Sequence, residues 1–279
     1  KGSIMPNKRA ANLLVECLIN QGVDKIYGVP GESYLSVLDA LYDFNEKIRF
    51  ISTRHESAAS FMAEAYGKLT GEAGICFVTR GPGATNASIG VHTAMQNSSP
   101  MILFIGQIAR DMTEREAFQE IDYKAYFGSI SKWVVQVNNA DRLPEIIGRA
   151  FSVALSGRPG PVVVSLPEDM LRELTNATAV SKIKKSCAHI STNQINVIKD
   201  ELEKSKRPLI ICGGGGWTDT GRDYLKSFSE STNIPVICAF RNQDLMDTNS
   251  YEYVGDASFG KPEYIKELIK YSDLILAIN

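Results

Sequence analysis

The 279-residue sequence has almost no excess charge: thirty Lys and Arg stand against thirty-two Asp and Glu, a formal net charge of −2. A near-neutral surface offers no electrostatic basis for nucleic acid or an anionic membrane as a partner. No uninterrupted apolar run approaches the length needed to span a bilayer. Histidine is scarce, and His55, His92 and His189 stand too far apart to suggest a metal site. The five cysteines, Cys17, Cys76, Cys187, Cys212 and Cys238, are scattered with no CxxC spacing. Three of them fall inside apolar patterns, where a thiol acts as a small hydrophobe. No signal peptide opens the sequence, so the expected compartment is the cytoplasm. Repeats and low-complexity tracts are also absent, and Lys1–Ile4 before Met5 reads as an expression remnant.

What is present is alternation. Strand-like apolar runs at 25–29, 48–53, 74–79, 101–105, 133–137 and 162–166 are separated by helical spacing at 7–21, 33–44, 56–71, 84–97 and 143–156. Fully apolar strands alternating with helices predict an α/β fold with a parallel six-stranded sheet and helices on both faces. This first domain is expected over 5–171. Residues 172–191 are polar and aperiodic, which predicts a linker. The short basic run Lys182–Lys185 belongs to it and reads as a solvated stretch. A second alternation over 192–279 carries strands at 209–212, 235–239 and 273–278, and helices at 195–204, 224–231 and 264–271. Three short strands make a thin core, so this α/β domain is expected to be truncated.

Ligands of open parallel sheets gather at the carboxyl ends of the strands. Four segments fall there. Val29-Pro30-Gly31-Glu32 ends the first strand, Arg54-His55-Glu56 the second, and Gly81-Pro82-Gly83-Ala84-Thr85-Asn86 the third; Ala117-Phe118-Gln119-Glu120 follows the fourth. Glu56 in the first turn of a helix has an ordinary reading, a carboxylate favoured by the helix dipole. It also has a catalytic one, because a carboxyl at a strand end flanked by Ser57-Ala58-Ala59 is partly desolvated. Glycines at a helix start suggest a phosphate cradle, or simply a strand-to-helix turn.

Taken together, these segments resemble the pyrimidine-binding half of the thiamine diphosphate enzymes, most closely the acetolactate synthase-like group. The resemblance covers the chain from about Met5 onward. It implies that Glu56 is the acid that hydrogen-bonds the aminopyrimidine ring and favours its imino tautomer. It implies cofactor contacts from Val29, Pro30, Gly31, Glu56, Pro82, Asn86 and Gln119. Gln119 is expected to reach the reaction centre beside Glu56, and Phe118 to wall the substrate pocket. In that family the diphosphate and magnesium belong to another domain, so no metal ligands are expected in this chain. The family usually has a second glycine where this sequence has Glu32, which leaves the substrate open. His55 is expected to make local hydrogen bonds, and His92, in an apolar helical stretch, to be a core residue.

Two segments imitate sites. Gly255-Asp256-Ala257-Ser258 looks like a magnesium motif, but Ala257 replaces a required glycine and the segment is expected to follow a polar loop. Gly213-Gly214-Gly215-Gly216 resembles a dinucleotide fingerprint, yet Trp217 and Thr218 break the G-x-G-x-x-G pattern. It admits FAD only as a weak additional expectation.

The resemblance implies part of an enzyme that decarboxylates a 2-oxo acid and transfers the resulting acyl carbanion, inactive without the missing diphosphate-binding domain. A non-carboligating decarboxylase or C–C lyase of the same family is the alternative. A non-catalytic assembly module is the alternative from another class. A homodimer or tetramer is expected, because this family shares active sites between subunits, and small residues on 56–71 and 84–97 permit close helix approach.

Overall fold

The computed structural model describes residues 7–278. The expected domain start at Met5 and the terminal Asn279 lie outside them. The chain divides into two compact units, with the division between Ser186 and Cys187.

In the first unit the elements are β1 (Lys8–Arg9), α1 (Ala10–Asn20), β2 (Lys25–Gly28), α2 (Leu35–Asp43), β3 (Arg49–Ser52), α3 (Glu56–Thr70), β4 (Gly74–Val78) and α4 (Gly81–Asn97). They continue with β5 (Met101–Gln107), α5 (Tyr123–Phe127), β6 (Trp133–Gln136), α6 (Leu143–Leu155), β7 (Pro161–Pro167) and β8 (Leu174–Thr175). Six strands form one parallel sheet in the order β3-β2-β4-β5-β7-β6. Every residue of β4, β5 and β7 is buried, whereas the edge strands β3 and β6 are only partly covered. That contrast is what continuous apolar runs require, since such strands are stable only when covered on both faces. One face packs against α1, α2 and α6 through residues such as Leu14, Val37 and Ile147. The other packs against α3, α4 and α5 through Ala59, Ala87 and Phe127.

The chain moves outward from β2 to β3 by way of α2 on one face, and from β4 to β5 by way of α4 on the other. The crevice at the carboxyl ends of β2 and β4 is therefore the topological switch point, where ligands of such sheets bind. Helices α3 and α4 pack closely beside it, because a Cβ on Gly90 would lie 2.3 Å from the Ser60 hydroxyl. A side chain there would drive the two helices apart.

The stretch expected as a linker begins as part of this unit. Leu174–Thr175 pairs antiparallel with Lys8–Arg9, and the Gln21 side chain exchanges hydrogen bonds with the Ser181 carbonyl (2.8 Å) and the Ile183 N–H (2.9 Å). Val180 and Ile183 pack against the core. These contacts lie about 160 residues away in sequence, so local composition could not display them.

The second unit contains α7 (Thr192–Lys204), β9 (Pro208–Cys212), α8 (Asp219–Thr232), β10 (Val236–Cys238), β11 (Tyr253–Asp256), α9 (Glu263–Tyr271) and β12 (Leu274–Ile278). Its sheet is parallel with the order β11-β10-β9-β12. Four strands replace the three expected. Tyr253–Asp256, where no strand was expected and Gly255-Asp256 was to follow a polar loop, is a strand whose residues are all half-buried, and its pairing with β10 shifts register at Val236 and Ile237. An edge strand of this kind, ending in Gly255-Asp256, shows no apolar run in sequence. Among the described residues no helix is long and apolar enough to cross a membrane.

Candidate functional site

The strand-end segments converge because the loops after β2, β4 and β5 are bonded to one another. Gly28 carries its backbone into the turn Val29-Pro30-Gly31, where the Val29 carbonyl accepts from the Tyr34 hydroxyl. A Cβ on Gly31 would lie 2.5 Å from Thr79 Cβ, so only glycine permits this turn to lie on the end of β4. Ser33 and Thr79 hydroxyls add a 2.9 Å hydrogen bond between the same two loops.

Glu56 opens α3, and Asn86 lies in the second turn of α4. Asn86 Nδ2 donates to Glu56 Oε2 at 2.9 Å. The other carboxylate oxygen is 3.4 Å from where a Cβ on Gly83 would stand, an ordinary contact, whereas Thr79 Cγ2 would be only 3.0 Å from that Cβ. Glu56 is half-buried, Pro82 and Asn86 are exposed, and Gly83 is buried. Beneath them, burial raises the Cys76 thiol and the Tyr34 phenol far above their ordinary values. Both groups stay neutral.

The loop after β5 reaches the same place through its backbone. The Gly81 N–H donates to the Gln119 carbonyl at 3.1 Å, with Gln119 held at φ +65°. A non-glycine residue there carries about 1–2 kcal/mol of backbone strain. The Glu120 carboxylate holds the loop by accepting from the Glu114 N–H (2.8 Å) and the Ala117 N–H (3.1 Å). Phe118 is 73% exposed, and its ring centre is 5.8 Å from the Arg80 guanidinium carbon.

The expected site residues thus fall into three linked contacts: Glu56 with Asn86 and Gly83, Gly31 with Thr79, and Gln119 with Gly81. Val29 and Pro30 lie on the β2 turn, which these contacts hold. Arg80 was not expected. Its buried guanidinium is bonded to Glu32 through Nη2 and stands 3.8 Å from Glu168 through Nη1. A charged residue between Thr79 and Gly81, inside a glycine-rich segment, was the signal that could have drawn attention to it. Arg80 Nε and the Tyr123 hydroxyl are buried without a hydrogen-bond partner.

The histidines divide. His55 caps α3, its Nδ1 accepting from the Ser57 N–H at 3.2 Å, in keeping with local hydrogen bonding. His92 is exposed, not a core residue, because its position on α4 faces away from the buried stripe of Ala84, Ala87, Val91 and Ala94. Among the described residues no group of three or more His, Cys, Asp or Glu is placed to hold a metal.

Residues 8–126 match the family model described as thiamine pyrophosphate enzyme, N-terminal TPP binding domain, and residues 195–279 match the central domain of the same enzymes. The chain belongs to the thiamine pyrophosphate enzymes. Its relatives within that family include the acetolactate synthase isozyme 3 large subunit of Escherichia coli K12, 37% identical over 235 residues, which are 82% of this chain and 41% of the relative. The acetolactate synthase large subunit of Buchnera aphidicola from Schizaphis graminum is 34% identical over 275 residues, 96% of this chain and 48% of the relative. The acetolactate synthase of Bacillus subtilis 168 is 30% identical over 277 residues, 97% of this chain and 48% of the relative. This thiamine pyrophosphate enzyme chain therefore spans less than half the length of each of these relatives. Its N-terminal match contains all four strand-end segments.

Proposed function

We propose that this chain is the pyrimidine-binding and central part of a thiamine diphosphate-dependent carboligase that decarboxylates a 2-oxo acid and passes the acyl unit to an acceptor. The observation that carries the reading is the half-buried Glu56 carboxylate, held by Asn86 at the switch point of the sheet. When bound, thiamine diphosphate supplies an acidic carbon that adds to the keto group and accommodates the electrons released when carbon dioxide leaves.

The residues present fit the aminopyrimidine end of that cofactor. One Glu56 oxygen is anchored by Asn86, and the other lies on the side of Gly83. Glu56 would exchange its proton with a ring nitrogen, and Asn86 would keep the carboxyl aimed. The Val29-Pro30-Gly31 turn and Pro82 would border the ring. The Gln119 side chain would act toward the reacting carbon from a backbone fixed at Gly81, and Phe118 would exclude water from the substrate.

The diphosphate and its magnesium would be held by the part of the longer relatives that this chain does not span. The 279 residues alone are therefore expected to be inactive. An FAD would meet this chain at Gly213–Gly216, the turn at the end of β9 in which Gly214 and Gly216 have positive φ. The five free cysteines support a cytoplasmic location. Phe61, Met62 and Ile89, exposed on α3 and α4, support self-association through these helices.

The test is product analysis of the full-length protein with thiamine diphosphate, magnesium and pyruvate. Acetolactate is expected. Acetaldehyde alone would convert the reading to a decarboxylase, and no consumption of any 2-oxo acid would reject it.

A further inference from the structure

Glu32 and Arg80 are charged residues 48 positions apart that meet at the mouth of the crevice. Their exposures are opposite: the Arg80 side chain is 8% exposed and that of Glu32 is 68% exposed. Arg80 cannot present itself to a ligand, because Glu32 lies on one side of it, Glu168 stands 3.8 Å from Nη1, and the Phe118 ring lies across it. Its Nε has no partner, so the guanidinium is held in place through Glu32 and Glu168. One cation and two carboxylates leave a net charge of −1, and the member nearest solvent is the Glu32 carboxylate. The largely exposed ring of Phe118 lies on the same arginine, its centre 5.8 Å from the guanidinium carbon.

A solvent-facing carboxylate and an exposed aromatic ring gathered on one buried arginine can together receive an organic cation. The carboxylate accepts a charge-assisted hydrogen bond, and the ring attracts the same cation through its quadrupole. A second carboxylate on a ligand would meet like charge instead. We infer that Glu32 is a specificity-determining residue that selects a 2-oxo acid substrate with a distal ammonium or guanidinium group. The inference rests on the proposed reading of the crevice as the site of a 2-oxo acid enzyme, with Phe118 as its wall. Arg80 is a positioning residue in this arrangement: it holds the Glu32 carboxylate in place, itself in contact with the Phe118 ring, without touching the substrate.

The test compares three substrates of similar length on the full-length enzyme with thiamine diphosphate and magnesium. They are 5-guanidino-2-oxopentanoate, neutral 2-oxopentanoate and anionic 2-oxoglutarate. The wild type should show kcat/KM falling in that order. Glu32→Gln, which keeps the shape and can still accept from Arg80, should lower kcat/KM for the guanidino acid by about tenfold. It should change that for 2-oxopentanoate by less than about threefold, on the scale of a neutral contact. Glu32→Lys should reverse the order of the two charged substrates. Equal kcat/KM for all three in the wild type, or one common factor for all three in Glu32→Gln, would overturn the inference while leaving the 2-oxo acid reading intact. Turnover of pyruvate but of none of the three would overturn the inference and leave the 2-oxo acid reading intact, whereas turnover of none of the four would reject both.

Discussion

Asn86 donates to Glu56 across 2.9 Å, from the second turn of one helix to the first residue of another. The two residues are thirty positions apart. They meet because α3 and α4 lie side by side on one face of the sheet, with Ala59, Ala63, Ala87 and Val91 between them and the strands. The hydrogen bond orients the carboxyl, and the helix packing sets its length.

Glu56→Gln preserves the size of the side chain and removes its exchangeable acid proton. In the full-length enzyme this should slow deuterium exchange at the reactive cofactor carbon by ~10²–10⁴-fold, the usual worth of a general acid–base group. Folding should be nearly unchanged. NMR-followed exchange at saturating cofactor checks it, and an unchanged rate would place the proton relay elsewhere.

Gly90→Ala tests the packing that sets the Glu56–Asn86 distance. The new methyl would meet Ser60 Oγ at 2.3 Å and the Ser60 carbonyl carbon at 2.8 Å, so the helices must separate. Overpacking of this kind costs about 1–3 kcal/mol, which thermal unfolding should show as a loss of several degrees. Catalysis should fall as well, although residue 90 is more than a helical turn from Asn86. Gly90→Ala combined with Ser60→Gly, which removes the obstructing hydroxymethyl, should recover part of both losses.

Assembly is open to a direct test. Phe61 is 39% exposed and Ile89 52% exposed, on α3 and α4 respectively. If these helices join two copies, Phe61→Glu with Ile89→Glu buries charge at the interface. Sedimentation velocity of the full-length double variant should then shift toward the monomer, with circular dichroism unchanged. A wild-type oligomer that the substitutions leave intact would place the interface elsewhere.

The second unit should have an acid-side signature. The Ser205 hydroxyl, followed by the Lys206 and Arg207 N–H groups, holds the Asp273 carboxyl at about 2, below its ordinary value. A folded value below the unfolded one means the stabilisation is fully present above about pH 4 and is lost as the pH falls toward 2. Asp273→Asn should be less stable at neutral pH and should show a shallower decline of stability between about pH 4 and 2. Urea unfolding followed across that range measures both.

Local pattern carried most of the elements. The apolar runs at 74–79, 101–105 and 162–166 read as buried strands, and β4, β5 and β7 are the strands of the first sheet with every residue buried. Glu56 and the Gly81–Asn86 segment were visible as a combination whose parts, each taken alone, had an ordinary reading. The strand Tyr253–Asp256 was not visible, because an edge strand needs only half-burial and can end in a glycine and an acid. His92 was misplaced because helical spacing shows which residues are apolar but not which face meets the sheet. The pairing of Glu32 with Arg80 could not be read: Glu32 stood out where the family usually has glycine, but nothing local joins it to a residue 48 positions away. Sequence by itself therefore determined most of the elements and their order, since hydrogen bonding and side-chain periodicity along a few residues suffice for that. Only the tertiary structure decided which strand ends share one crevice, and so which charges, glycines and amides meet there, because those contacts arise from packing between segments 30 to 48 residues apart.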